Sequence, residues 1–441
     1  MSEEYIYWIW LSLAGGCANP DYGLLLSHFK NARAVYEADS AKYRDVEGLK
    51  IATARKLADK DLKQARDIFE FCKSHSVRLL HCMEPDYPIK LKWIYAYPVL
   101  LYVCGTLPNL NELLTVAVVG TRNYTEYGKL STYKLAGGLA RCNSVVISGL
   151  AYGIDSVAHA AAVDNRGKTI AVMGTGIDRI YPSSHRELAK RVMANGALVT
   201  EYPPGSPPSG FHFPQRNRII SGLSDAVVVT EAPKGSGALI TARLATEQSR
   251  TIFVVPGNTT SPNSYGAISL LKDGVKPVVT ALDIVEEYER QYSYLAPLIQ
   301  STDFDVQMPK DLECDPTQAQ VSKSGIFKSF LPNFGKNAAK PPKTGIKSEK
   351  SEQKYKKAEV TPTKSEPEPK TRTESTLPLM NAAEAEIYER IVSSKKASVD
   401  ELITDKISAG ELMTTLTKLE LSGVIKGLPG GYYIPNEDMK G

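Results

Sequence analysis

The chain has 441 residues, 42% hydrophobic and 23% charged, with 53 Lys and Arg against 49 Asp and Glu for a formal charge of +4. This composition excludes a collagen-like, mucin-like or wholly disordered chain and allows about two to four domains. So small a net charge neither demands nor excludes a polyanionic partner, because the distribution of charge decides that. No stretch reaches the ~18–20 unbroken apolar residues of a membrane helix. Met1-Ser2-Glu3-Glu4 lacks the basic start of a secretory leader, so a cytoplasmic protein without membrane contact is expected. Cys17, Cys72, Cys82, Cys104, Cys142 and Cys314 form no CxxC pair and read as reduced core thiols.

In chain order, residues 1–75 read as mainly helical. Within them Val46–Leu57 resembles a helix-hairpin-helix whose second turn glycine is replaced by Ile51, which leaves that motif's phosphate cradle degenerate. A SAM-like helical module with a structural or interaction role is the preferred reading. Pro98–Val103 is an extended entry to the central part of the next unit, residues 76–295. There Thr115–Val119, Val145–Ile147, Thr169–Met173, Ala197–Val199, Asp225–Val229 and Thr251–Val255 read as strands buried on both faces. Gly128–Cys142, Ser156–Asn165 and Ala238–Gln248 read as helices between them. Such alternation predicts βαβ units and an α/β fold: a Rossmann-like, doubly wound, mainly parallel sheet.

Residues 296–377 lose apolar content. Between Lys336 and Ser375, Ile346 and Val360 are the sole aliphatic residues larger than Ala, and 11 Lys or Arg accompany 6 Glu. Such a segment cannot bury enough apolar surface to offset its ordering entropy, so a flexible tether is expected, with a weak electrostatic role toward nucleic acid as the other reading. Residues 378–436 recover helical periodicity in Ala383–Val392, Val399–Ile403 and Gly410–Leu421, followed by two short β segments around Gly430-Gly431. This pattern predicts a winged helix. Its candidate recognition helix, Gly410–Leu421, carries Lys418 against Glu411 and Glu420, which favours a protein contact or weak DNA role over duplex reading.

Ligands of doubly wound sheets sit beyond the carboxyl ends of the strands. Those ends hold Gly120-Thr121-Arg122, Ser148–Asp155, Gly174-Thr175-Gly176 and Glu231–Gly237. Glycine lets backbone N–H groups approach an anion, and the helix N-termini behind these turns add partial positive charge, which is a phosphate-cradling design. Neither a properly spaced GxGxxG nor a GxxxxGK(S/T) loop occurs, so no nucleotide cofactor is expected. Arg122 reads either as a bidentate phosphate ligand or as a surface ion-pair partner. Phe211–Ile220 interleaves two aromatics with His212, Arg216, Asn217 and Arg218. Rings of this kind stack on unpaired bases while guanidinium groups hold phosphates. In the alternative, Phe211 and Phe213 plug the core and Arg216 caps carbonyls. Catalytic patterns are poor, with no GxSxG elbow and no HExxH. Asp155 and His159 read as a structural pair, with Asp155 as a helix cap, and Glu201 with Glu231 lack a third ligand, so no metal site is expected.

Taken in order, Gly120-Thr121-Arg122, Ser148–Asp155, Gly174–Pro182, Glu201–Gly205, Phe211–Ile220 and Gly235–Ala242 resemble the DNA-processing protein DprA (Smf) family, strongly over residues 80–300. The resemblance implies a Rossmann-like domain that binds single-stranded DNA with little sequence preference, forms a homodimer and carries no enzyme activity. It also implies that the protein loads RecA recombinase on incoming strands in natural transformation, displacing single-strand-binding protein. Carried over residue by residue, DNA contact falls to Gly120, Thr121 and Arg122, to Ser148 and Gly149, to Arg216, Asn217 and Arg218 of the FPxRNR segment, and to Gly235 and Gly237. There is one departure. Where some members carry a DNA-contacting Lys after the Tyr-Pro pair, this chain has Ser183-Ser184-His185. A fixed positive charge is lost unless His185 or Arg186 replaces it. RecA-contacting positions have no readable motif.

Two rival readings stand beside this one. Gly235-Ser236-Gly237, with Glu247 downstream, loosely resembles the PGGxGT loop of lysine-decarboxylase-like phosphoribohydrolases, which would make the chain a nucleotide-processing enzyme. The other is a duplex-binding regulator acting through the winged helix.

Overall fold

The computed structural model describes residues 2–309 and, nearer the C-terminus, 382–394, 397–398, 402, 412, 415–416, 419, 424–428 and 432–435. They fall into two compact units, one holding residues 2–309 and the other the described residues beyond 381.

The first unit opens with helices α1 (Tyr5–Gly15), α2 (Asp21–Phe29), α3 (Ala32–Glu37), α4 (Ile51–Leu57) and α5 (Lys63–Ser74). In α1 the consecutive run Trp8–Leu11 is buried, so protein encloses this helix on more than one side. An antiparallel ribbon follows, β1 (Arg78–His81) and β2 (Leu100–Gly105), with the short helix α6 (Ile89–Lys92) between its strands. Alternation then sets in: β3 (Thr115–Val119), α7 (Glu126–Arg141), β4 (Val145–Ser148), α8 (Ile154–Asp164), β5 (Thr169–Val172), α9 (Arg186–Asn195), β6 (Gly196–Thr200), α10 (His212–Gly222), β7 (Ala226–Val229), α11 (Gly237–Glu247), β8 (Thr251–Val254), α12 (Tyr265–Lys272) and β9 (Lys276–Pro277). Helices α13 (Leu282–Val285) and α14 (Leu295–Ser301) close the unit.

The nine strands lie in the order β1-β2-β6-β5-β4-β3-β7-β8-β9. From β6 to β9 every pairing is parallel, and the chain reverses its winding between β3 and β7. The six expected strands are all present in a doubly wound sheet. Alternate residues of β3 feed two cores. Ala117 and Val119 join one with α1, α5 and α10 residues, while Val116 and Val118 join the other with α7 and α8 residues. The ribbon strand β1 carries no β-branched residue and has no strand signal of its own; pairing with β2 makes it a strand.

The boundary at residue 75 separates sequence patterns rather than cores, because residues of α1 to α5 share one buried cluster with β1, β2 and a face of the sheet. Nor does the chain leave this unit at residue 296. Val306 is fully buried, and Lys134 Nζ lies 2.9 Å from Asp305. The remaining tether expectation, 310–377, lies outside the described residues.

In the second unit, α15 (Ala382–Ser394) accompanies a three-stranded sheet of β10 (Ala397–Ser398), β11 (Ile425–Leu428) and β12 (Tyr432–Pro435), ordered β10-β12-β11. Leu402, Leu412, Leu416 and Leu419 are buried with Ile387 and Ile391. Leu412, Leu416 and Leu419 of the expected 410–421 stripe therefore face this core, while Glu411, Lys418, Glu420 and Leu421 lie outside the described residues.

Among the described residues five cysteines are free, and burial pushes the Cys72 and Cys82 thiols up to about 12, as befits inert core thiols. No helix among the described residues is long and apolar enough to cross a membrane.

A buried ion pair holds the amino ends of β3 and β7. Lys90 Nζ lies 2.6 Å from Asp225 Oδ2, with both side chains 7% exposed. The same oxygen accepts hydrogen bonds from Thr115 N–H and Oγ1–H at 2.9 Å each and from the Tyr292 hydroxyl at 3.1 Å. Burial pulls the Lys90 ammonium below its ordinary range, and Asp225 opposes that pull. Removing one partner leaves the other charge buried and unmatched. Lys90→Met is expected to lower the unfolding free energy by about 3 kcal/mol, measured by urea titration followed by circular dichroism; a loss below about 1 kcal/mol would show the pair to be dispensable.

Candidate functional site

The carboxyl ends of β3, β4 and β5 open on a cleft lined by Arg122, Gly149, Ala151, Tyr152, Gly174, Thr175, Tyr181, Pro182 and Phe213. Small residues make its floor and rings make its walls. Tyr152 and Tyr181 are 39% and 44% exposed, and the Tyr181 ring lies 5.6 Å from Phe213. The exposed Arg122 guanidinium stands at the rim, 5.8 Å from the Phe213 ring centre. Phe211, just before α10, is 83% exposed. Backbone geometry places Arg122. Gly153 adopts φ +83°, and a Cβ on it would lie 2.5 Å from the Arg122 Cα, so the turn before α8 passes directly against the turn after β3.

Arg216 holds the floor from below. It is 3% exposed, and its Nη1 donates to the Gly149 carbonyl at 2.6 Å and to the Val172 carbonyl, tying the end of β5 to the turn after β4. A Cβ at Gly149 would lie 2.6 Å from that guanidinium, leaving room for glycine alone. Asp155 balances the charge, its Oδ2 accepting Gly149 N–H at 3.1 Å and Ala151 N–H at 3.4 Å. Burial raises the Asp155 carboxyl above its ordinary range, against the pull of Arg216. Burial likewise draws Arg216 down to about 10, against the pull of Asp155. Arg218 on the same helix is buried and ion-paired with Glu201. Glu201 Oε2 also accepts Ala18 N–H at 3.5 Å, pinning the α1–α2 loop to the end of β6.

These positions correct several expectations. Arg216 and Arg218 do not face a ligand's phosphates; one satisfies backbone carbonyls and the other a buried carboxylate. Ser148 is fully buried, its Oγ–H donating to the Val118 carbonyl at 2.7 Å. The Gly149 amide, expected to cradle an anion, is already taken by Asp155. Thr121 is buried with its Oγ1 accepting Asn123 N–H at 3.2 Å, and Gly120 packs against Ile154. Asn217 links two helices, accepting from Arg216 Nε at 3.2 Å and donating to the Gly237 carbonyl at 3.5 Å. Gly235 and Gly237 are exposed but lie outside the residues lining the cleft. Of the expected positions, Arg122 and Gly149 line it.

His185 does not replace the missing lysine. It is 3% exposed, its Nδ1–H donates to the Leu150 carbonyl at 3.0 Å, and Tyr152 packs edge-on at 5.2 Å. Arg186 is exposed at the start of α9. The N-cap of α8 is Gly153 rather than Asp155. His159 Nδ1 hydrogen-bonds Thr169 Oγ1 at 2.7 Å, and Glu231 accepts from Thr125. Among the described residues no group of three or more His, Cys, Asp or Glu could hold a metal. Tyr152 and Tyr181 are cleft residues that sequence reasoning passed over. Their signal was present: large rings in polar turns beyond strand ends.

Residues 78–289 match the family model described as DNA recombination-mediator protein A, and residues 366–431 match the DprA winged helix domain. Over 63% of this chain and 71% of the relative, the sequence is 36% identical to the protein Smf of Synechocystis. Over 51% of this chain and 76% of the relative, it is 40% identical to the DNA processing protein DprA of Bacillus subtilis. The X-ray structure of DprA from Streptococcus pneumoniae aligns with a TM-score of 0.57 at 35% identity, covering 64% of this chain and 97% of that one. With its sheet domain and its C-terminal winged helix both matched, the chain belongs to the DprA (Smf) family of DNA-processing proteins.

Proposed function

We propose that this chain binds single-stranded DNA in the cleft beyond β3, β4 and β5 without cutting it, and presents the strand to RecA recombinase during uptake and recombination of DNA. The cleft's composition carries the proposal: three rings, Tyr152, Tyr181 and Phe213, around a glycine-bearing floor with Arg122 at the rim. Unpaired bases stack on such rings for about 1–3 kcal/mol each, and every base offers a π-face, so sequence preference is weak. Bases in a duplex are already stacked and have no use for these walls. Arg122 is placed to meet the phosphates between bases, and Phe211 offers a further ring beside the cleft.

Binding without catalysis is supported by the state of the neighbouring carboxylates. Asp155 and Glu231 are buried and accept hydrogen bonds from backbone amides. The phosphoribohydrolase reading needs an acid over the Gly235–Gly237 loop. Glu247 is instead exposed on α11, with its carboxylate 3.7 Å from Arg243. Presentation to RecA, displacement of single-strand-binding protein and formation of a homodimer complete the proposal, and they rest on family membership.

Fluorescence anisotropy with an unstructured oligonucleotide and its duplex, at two salt concentrations, tests the reading. The single strand should bind more tightly, and its affinity should fall with salt. Equal or tighter duplex binding would overturn the proposal, and loss of that binding on deletion of residues 376–441 would promote the winged-helix regulator. Arg122→Ala should weaken single-strand affinity at least about fivefold, or ~1 kcal/mol, without changing the melting temperature; unchanged affinity would remove Arg122 from the site. Arg218→Ala should act on stability instead, costing about 3 kcal/mol because Glu201 is left buried and unpaired, and a melting curve identical to the parent's would contradict that role.

A further inference from the structure

Nucleotide-binding sheets of this architecture hold a phosphate at the point where winding reverses, on the amides at the N-terminus of the helix after the first strand. Here that helix is α7, and the reversal lies between β3 and β7. A carboxylate from this chain already occupies the place. Glu231, just past the end of β7 and 3% exposed, accepts Thr125 N–H at 2.9 Å through Oε2 and Thr125 Oγ1–H at 2.6 Å through Oε1. Thr125 Oγ1 in turn accepts Gly128 N–H at 3.1 Å, which makes it the N-cap of α7. The fit is close enough that a Cβ on Gly128 would overlap the carboxylate. One strand over, Asp155 fills the amide pair of Gly149 and Ala151 in the same way. The carboxylates are stabilised differently, Glu231 by the positive end of a 16-residue helix and Asp155 by Arg216.

We propose that Glu231 and Asp155 are specificity-determining residues: built-in anions that fill two nests of donors beside the cleft, the amide and hydroxyl of Thr125 and the amides of Gly149 and Ala151, and so exclude free nucleotides and inorganic phosphate. This inference rests on the single-strand reading of the cleft and adds how a polymer is told from its monomers. With the nests filled, a mononucleotide meets one exposed guanidinium and as much of the ring surface as a single base covers. A strand repeats base and phosphate contacts along its length and binds through their sum. The site therefore selects length, although each single contact is weak.

The test uses the full chain, titrated with AMP and with inorganic phosphate by calorimetry, and with AMP as competitor against a labelled single-stranded oligonucleotide. The parent protein should bind the oligonucleotide and show no displacement by millimolar AMP. Glu231→Ala, which empties the nest on α7, should gain phosphate or AMP affinity by at least about tenfold, the scale of one charge-assisted hydrogen bond. Asp155→Ala should gain it at the second nest. Glu231→Gln keeps the space filled and should behave as the parent does. Displacement of the oligonucleotide from the parent protein by AMP overturns the inference, and that result stands even if both alanine variants fail to fold. Folded alanine variants, shown by circular dichroism, with no gain for either anion also overturn it. Failure of the single-strand reading is visible separately, as absent oligonucleotide binding by the parent.

Discussion

A single buried guanidinium sets the shape of the cleft. The end of β5 and the turn after β4 present carbonyls beyond the last β4–β5 pairing, Ser148 with Ala171, and Arg216 reaches up from α10 to bind both. An arginine buried this deeply is costly unless its charge is matched and its donors are used. Asp155 supplies the match from α8, and Gly149 is thereby held on both sides, its N–H by a carboxylate and its C=O by a guanidinium. Phe213 stands three residues before Arg216 on the same helix face, with its ring centre 5.9 Å from the guanidinium carbon. Fixing Arg216 therefore fixes a wall of the cleft as well as its floor.

Charge in this protein is divided between core and surface in a way the net charge conceals. Lys90 with Asp225, Arg218 with Glu201, and Arg216 with Asp155 are each enclosed by protein. These cations join strand ends and are lost to any polyanion. What remains at the cleft is Arg122 among rings, and the segment after Tyr181-Pro182 offers Ser183, Ser184 and an inward-facing His185. The cleft therefore offers more ring surface and fewer free cations than a motif count suggests.

The helices before the sheet contribute to the same construction. Their apolar faces continue the core of one sheet face, and the α1–α2 loop reaches the end of β6 through Glu201. The ion pair that uses Arg218 thus joins the N-terminal helices, β6 and α10. Arginines that look like ligand contacts in the FPxRNR segment are fasteners between layers.

The sheet was legible in the sequence because burial on both faces writes a local pattern. Val116–Val119 and Ala226–Val229 have no polar alternate, and a strand covered by helices on two sides is what tolerates that. Arg122 was legible as a rim residue for a similar reason, since the end of β3 and its glycine fix where the next side chain emerges. The partners of Arg216, Arg218, Asp155 and Glu231 were not, although one of the two sequence readings had Arg216 capping carbonyls. Arg216, Arg218 and Glu231 meet Gly149, Glu201 and Thr125, which are 67, 17 and 106 residues away along the chain, and Asp155, though it caps the nearby amides of Gly149 and Ala151, meets the Arg216 charge only in space. Strand burial is a property of neighbours in sequence, whereas the pairing of a buried charge is a property of neighbours in space, and folding alone brings those together.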